Sequence, residues 1–550
     1  MELLGLDKKP VKEAEKLLKQ FNENHALATK FDLRLEDRKN VWNQLFTVFI
    51  KTDNTLLQLE ALNCARVLSR DKNGLNESIS EDIVNNLLKY GRIGDGNDAS
   101  NDQGKVALES LKVLSNLLHQ SCVVQSYCTK NGFLSKILAK IKIHSKVGNN
   151  QSKMFDFRLL FLFTALCPEQ RDIAKYNHDG LNTLREALED ILSAKFDMEE
   201  PSLDEEDCTI ICEILKVVFN LTVDSKAEET RDLTLLASTL NRILRVKINN
   251  FDQKLKVVNN CINVITNMES KVDAFKALVE PSDILLPAEP DMIYEGIVVN
   301  TIQSFLDFLT HKIDNTLPGS TLKEDITPCL SVLWNISRSL RLVRKFLKSV
   351  ILPPLTARDI KVGDGKTVLV KKRSPYFILF LFFFQDKPED GNTLKAKLVS
   401  LLTNTNGDIS TMVAELLYVL CKENVGRLIK HTGYGNAAGL LARRGLMAGG
   451  KGVGDFSEDE ESDTEEYLRE RHKINPVIGC VEEPVVSPLE GMSEEQKEYE
   501  AMQLVNLMDK MQRTGLISPC RVGEDGRPEA VEHVMQLIEG QKEKEQDDSD

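Results

Sequence analysis

The residues with the plainest chemistry in this chain are cations grouped on helical text. Behind the apolar stretch CLSVLWNIS the sequence continues RSLRLVRKFLK, which sets Arg338, Arg341, Arg344 and Lys345 adjacent or three and four residues apart. On a helix these fan across one edge, beside the face that carries Asn335. Guanidinium forks in that setting suit an anion or a chain's own terminal carboxylate. Arg66 and Arg70, in ALNCARVLSRDK, repeat the design at a four-residue interval. Taken singly, each of these cations also fits an ordinary solvated helix edge. Asparagines supply a second pattern: Asn116, Asn220 and Asn335 each follow an apolar run, at a position where propensity favours a better helix former. An amide both donates and accepts, so a row of them suits holding a peptide. It suits pinning a helix equally well, and the sequence leaves both readings open.

The elements that must position these residues share one template. ALESLKVLSNLLHQS (107–121), DFRLLFLFTALCPEQ (156–170), CEILKVVFNLTVDS (212–225), VVNNCINVITNM (257–268), CLSVLWNISRSL (329–340) and VAELLYVLCKEN (413–424) all read roughly as L-K-x-L-x-N-L. The echoes recur at about forty to sixty residues, the period of armadillo and HEAT arrays, in which no unit buries its apolar face alone. The stretch 40–69 is itself two apolar-periodic helices broken at 51–54. The fold class expected is all-α, an armadillo/HEAT-repeat superhelical solenoid with a partly ordered C-terminal extension. The solenoid is assigned to 1–430, a Gly-rich and acidic connector to 431–490, a helix to 491–513 and a mostly disordered acidic tail to 514–550.

Composition narrows the function classes. Of 550 residues, 42% are hydrophobic and 28% charged, with only 30 Gly and 17 Pro, which favours helix. A net charge of −14 argues against nucleic acid as the partner. The 11 cysteines lie scattered in apolar helix text without a CxxC pair, so they read as reduced core residues and no metal is expected. The N-terminus reads as a charged amphipathic helix and not as a signal peptide, which places the protein in the cytoplasm. GDGKT at 363–367 lacks the earlier glycine of a phosphate loop, Ile360 standing there, and Gly433-x-Gly435-x-x-x-Gly439 follows a helix instead of a strand. With no triad, metal set or phosphate loop, neither a chemical active site nor a cofactor is expected.

Two later segments stand apart. Tyr376 to Phe384 is a run of nine apolar residues, too short to span a bilayer and flanked by Lys and Pro. Its Phe- and Leu-rich text ends in Gln385, as a pyrimidine tract closing in CAG would encode. Residues 362–385 therefore read as an anomalous insertion, a translated intron whose excision leaves ARDIKDKPEDG. Near the end, Ser493 with Gln496 forms a capping-box pattern, and Met502, Val505, Met508 and Met511 give the following helix a partial apolar stripe.

ALNCARVLSRDK, RLLFLFTAL, RKFLKSVILPPL and above all KHTGYGNAAGLLARRGLMAGG, followed by SEDEESDTEEY and INPVIGCVEE, resemble the synembryn family over about residues 35–512. The resemblance implies a guanine-nucleotide exchange factor and folding chaperone for heterotrimeric G-protein alpha subunits. It implies that Arg66, Arg70, Asn116, Arg341, Arg344 and Lys345 line a groove for the alpha subunit's C-terminal helix. It also makes Ser457 and Ser462, in the acidic run, phosphorylation sites of an acid-directed kinase. A monomer reaching membranes only through its partner is expected. The alternative is another armadillo-type adaptor, such as a nuclear-import receptor, which calls for Trp beside Asn in most repeats and acidic groove residues; here only Trp334 precedes such an asparagine.

Overall fold

The computed structural model of the chain describes residues 3–94, 101–144, 149–196, 200–223, 229–269, 271–281, 289–315, 322–355, 387–404, 407–452, 454, 456, 464–481 and 491–531. Ser457, Ser462 and the segment 362–385 lie outside them. Packing divides the chain into two compact units, Met1–Phe308 and Leu309–Asp550.

The first unit is a stack of helices: α1 (Val11–Asn24), α2 (Leu35–Lys51), α3 (Thr55–Leu68), α4 (Asn101–Gln120), α5 (Asn150–Leu166), α6 (Glu205–Thr222) and α7 (Phe251–Thr266). The break between α2 and α3 falls where the polar text 51–54 predicts it, and Asn54 Oδ1 caps the new helix by accepting from Leu56 N at 2.9 Å and Leu57 N at 3.3 Å. α1 packs on α3, and α3, α4, α5, α6 and α7 then pack each on the next, so one apolar seam runs through all of them. Leu111, Leu114, Leu160, Phe163, Ile211, Leu215, Val258 and Ile262 are buried along it. Each such side chain contributes roughly 1.5–3 kcal/mol of transfer free energy, realised only because the neighbouring helix is present. At the start of the stack, Arg38 Nη2 and Asp71 Oδ2 form a fully buried pair at 2.8 Å, and the same carboxylate accepts from Phe31 N, fixing the chain ahead of α2.

In the second unit, α8 (Leu322–Ser339) packs on α9 (Arg341–Ile351) and α10 (Gly407–Leu420), followed by α11 (Val425–Thr432) and α12 (Tyr434–Arg444). Helix α12 lies within the Gly-rich text assigned to the connector, 431–490. Ala437, Leu440 and Leu441, spaced three and four apart, are buried, and of the glycines Gly435 and Gly439 lie within the helix while Gly433 and Gly445 bound it. Gly433 (φ +75) precedes it and Gly445 (φ +67) closes it in the left-handed region. The two-stranded turn Ile474–Asn475/Cys480–Val481 then lands on the start of α12, where Tyr434 N and Gly435 N donate to Pro476 O and Val477 O at 2.8 and 2.9 Å. A Cβ at Gly433 would lie 2.9 Å from Val477 O, so only glycine admits this approach.

Helix α13 (Glu494–Arg513) opens on the expected capping box, Ser493 Oγ accepting from Gln496 N at 3.3 Å, and buries none of its residues. Within the tail expected to be mostly disordered, 514–550, the described residues run to 531 and hold a two-stranded hairpin. Cys520–Val522 pairs antiparallel with Pro528–Ala530, because Gly526 (φ +71) supplies the turn and its carbonyl accepts from Met447 N at 3.0 Å. Strands among the described residues are two or three residues long, and the protein is all-α.

Candidate functional site

The asparagines resolve first. Asn220 Nδ2 on α6 donates to Phe161 O at 3.2 Å and Thr164 Oγ1 at 3.0 Å on α5. Asn116 on α4 does the same toward Arg66 O (3.4 Å) and Ser69 Oγ (3.0 Å) at the end of α3. A third amide, not singled out in the sequence, repeats the motif: Asn267 Nδ2 reaches Phe219 O and Thr222 Oγ1, both at 3.0 Å. In each case the hydroxyl also donates to the carbonyl three residues back, so the amide closes a small network over the last turn of the preceding helix. The amide donors of Asn116 and Asn220 are therefore engaged within the chain. Asn220 is 7% exposed, its amide directed to the neighbouring helix. The physical reason is that stacking brings a carbonyl and a hydroxyl of the preceding helix within 3.0–3.4 Å of the amide.

Asn335 differs. Its side chain makes no hydrogen bond among the described residues, and its own carbonyl accepts from Ser339 Oγ at 2.8 Å.

Around the pins lies a set of ion pairs that the sequence reading missed. Glu109 on α4 stands between Arg66 Nε of α3 at 3.3 Å and Lys112 Nζ at 2.5 Å. Glu213 on α6, itself buried, stands between Arg158 Nη2 of α5 at 3.0 Å and Lys216 Nζ at 2.7 Å. Each group holds one carboxylate between two cations and so carries a net positive charge. Lys216 also lies over the Phe161 ring at 5.0 Å. The signal was present, since ESLKVLSN and EILKVVFN both set Glu three before Lys and seven before Asn. Arg66 thus keeps a partner on the next helix, while Arg70 Nη1 donates to Ala26 O at 2.6 Å.

In the second unit the basic cluster is split by a turn. Leu340 is extended (φ −116, ψ 112) between α8 and α9, so Arg338 and Asn335 belong to one helix and Arg341, Arg344 and Lys345 to the next. Arg341 is exposed at the first position of α9 and Lys345 is half-buried. Arg344 departs from the expected groove edge. It is 7% exposed, its Nη1 donates to Ser337 O at 2.9 Å, and its guanidinium lies 4.6 Å from the centre of the Phe456 ring. The reason is geometric: α9 packs its Val343–Leu347 face against the unit, and Arg344 lies between those two anchors.

Burial pushes Cys208 up to about 11 and Cys212 to about 12, so both stay protonated. Among the described residues no three of His, Cys, Asp or Glu come together in a way that would hold an ion. No described helix is long and apolar enough to cross a membrane.

Comparison with known proteins gives the site a context. The chain is 34% identical over 542 residues to the chaperone Ric-8A of Xenopus tropicalis, covering 95% of this chain and 94% of that one. It is 35% identical over 538 residues to chaperone Ric-8A of Gallus gallus, covering 94% and 93%. Among solved structures, SYS-1 matches with a TM-score of 0.45 at 13% identity, covering 74% of this chain and 68% of that one. A designed armadillo repeat protein matches with a TM-score of 0.31 at 12% identity, covering 62% of this chain and 99% of that one. The family described as guanine nucleotide exchange factor synembryn matches residues 61–372 and 384–527, the interruption falling inside the apolar segment 362–385. With a family match of that extent and relatives of that identity, the chain belongs to the Ric8 family of synembryn exchange factors.

Proposed function

We propose that this protein is a guanine-nucleotide exchange factor and folding chaperone for heterotrimeric G-protein alpha subunits. The observation that carries the reading is the family match along nearly the whole chain. The residues proposed to meet the partner are Arg66, Arg70 and Asn116 in the first unit and Asn335, Arg341, Arg344 and Lys345 in the second. Arg341 and Arg344 suit the terminal carboxylate of the alpha subunit's C-terminal helix, because a guanidinium offers two parallel N–H groups to two oxygens. Holding that helix withdraws it from the nucleotide site. By linkage, a partner that prefers the nucleotide-free state weakens GDP by the same factor, and GTP expels the partner in return. No covalent bond is made or broken in this cycle.

Three further readings accompany it. The protein acts as a monomer in the cytoplasm and reaches membranes only through its partner. Phosphorylation of Ser457 and Ser462 by an acid-directed kinase adds charge that docks the acidic run on a basic face; equal exchange rates for the phosphorylated chain and a Ser457→Ala, Ser462→Ala variant would remove that role. Segment 362–385 is translated intron, which abundant mature transcript retaining those codons would refute. The main reading is tested by nucleotide release from a purified alpha subunit, and its binding geometry by a C-terminal alpha peptide made with a free acid and with an amide. Tighter binding of the free acid supports the carboxylate contact, and equal binding removes it.

A further inference from the structure

At the end of α10 two consecutive non-glycine residues, Lys422 (φ +56) and Glu423 (φ +49), adopt left-handed backbone. Side chains hold that conformation at a cost, and it persists where the surroundings over-determine it. The surroundings of Glu423 do so. It is 2% exposed, and its main-chain oxygen accepts from Gly452 N at 2.7 Å while its Oε2 accepts from Gly454 N at 3.0 Å. On the other side, Arg338 Nη2 stands 3.8 Å from Oε1. The fit leaves no slack: a Cβ at Gly452 would lie 2.4 Å from Glu423 Oε2, and one at Gly454 would lie 2.3 Å from the Phe456 ring. Just before this, Gly450 O accepts from Val425 N at 3.1 Å. Phe456, two residues past Gly454, carries the ring that lies over Arg344. A glycine at position 423 would relieve the backbone strain. What it would not supply is the carboxylate.

We propose that Glu423 is a positioning residue that latches Gly452 and Gly454 so that Phe456 lies over Arg344, and that a partner's carboxylate gains Arg344 only when this latch releases the ring. The second half rests on the reading that Arg344 takes that carboxylate. The Arg344 guanidinium is 7% exposed beside the Phe456 ring, with Nη1 on Ser337 O, so a partner's carboxylate does not reach it in this arrangement. The latch makes Arg344 a conditional site, whereas Arg341 is exposed on the same helix.

The test uses the full chain carrying Glu423→Gly, Glu423→Gln or Phe456→Ala. A readout free of any partner is the rate at which phenylglyoxal modifies Arg344, followed by peptide mass spectrometry. The latch predicts a rise of about tenfold in Glu423→Gly and Phe456→Ala, the loss expected for a hydrogen bond to a charged group. It predicts a near-parental rate in Glu423→Gln, whose amide oxygen still accepts from Gly454. The melting temperature of Glu423→Gly should not fall, because glycine suits the left-handed turn. The free-acid alpha peptide should bind those two opened variants about three- to tenfold tighter, with the amidated peptide unchanged, in keeping with a cation–π contact given up by Phe456. An unchanged modification rate in both opened variants overturns the latch. Faster modification with free-acid binding unchanged or weaker overturns the gating of the carboxylate. If no form binds either peptide, the proposed partner contact fails while the modification rates still decide the latch.

Discussion

Asn267 in the first unit and Asn335 in the second occupy the same point of the same helical template, yet one is fastened and the other is not. Asn267, like Asn116 and Asn220, closes a network over a neighbouring helix end, whereas the Asn335 amide makes no hydrogen bond among the described residues. Near Asn335 the carbonyl of Ser337 takes Arg344. The first unit thus uses its repeated amides to lock one helix to the next, and Glu109 and Glu213 each hold two of its cations. The second places its basic helix under a segment held by a strained glutamate. Identical sequence positions carry different duties because what decides them is the chain that arrives beside them.

That contrast can be broken in order of expected size. Removing one partner of the fully buried pair in the first unit, by Arg38→Ala or Asp71→Ala, strands a charge and should cost about 3–5 kcal/mol, read as a fall in the denaturant midpoint at unchanged slope. Asn220→Ala and Asn267→Ala each remove the amide from a carbonyl and hydroxyl that stay bonded to one another and should cost about 0.5–1.5 kcal/mol in the same assay. A loss under 0.5 kcal/mol in both would deny the pins their role.

In the second unit, burial holds His431 well below the usual histidine range, reinforced by Lys395, Lys430 and Lys348. Between its depressed folded value and about 6.5 the unfolded chain binds the extra proton, so stability is complete above pH 6.5 and falls as pH drops, by at most about 1.4 kcal/mol per pH unit. His431→Leu should flatten that limb in equilibrium unfolding across pH 5 to 7; an unchanged limb would assign it elsewhere. The smallest effect sharpens the comparison most. Asn335→Ala should change stability by less than about 0.5 kcal/mol, unlike its counterpart Asn267.

The helices themselves were legible. Period-3.6 apolar text fixed every echo as a helix, and polar breaks such as Asn54 marked the boundaries because a cap's chemistry is local. Asn116 and Asn220 stood in register in the sequence, but the acceptors that define their duty, Ser69 and Thr164, lie some fifty residues upstream and are brought close only by stacking, as Thr222 is to Asn267. The same holds for Glu109 with Arg66 and Glu213 with Arg158, visible in sequence only as a recurring Glu-x-x-Lys. Arg344 looked like an open helix edge because nothing within its own helix announces Phe456. Helix α12 was not legible because the glycine content of its text hid that Gly433 and Gly445 serve as its boundaries.

The most direct test of the central claim is GDP release from a purified G-protein alpha subunit, measured alone, with this chain, and with the chain carrying Arg341→Ala and Arg344→Ala. The account predicts acceleration by the parent chain and at least about a tenfold loss of that acceleration in the double variant, as expected when a hydrogen-bonded charge pair at an interface is truncated. Acceleration that survives intact in the double variant would contradict α9 as the docking site, and no acceleration of any alpha subunit by the parent chain would contradict exchange itself.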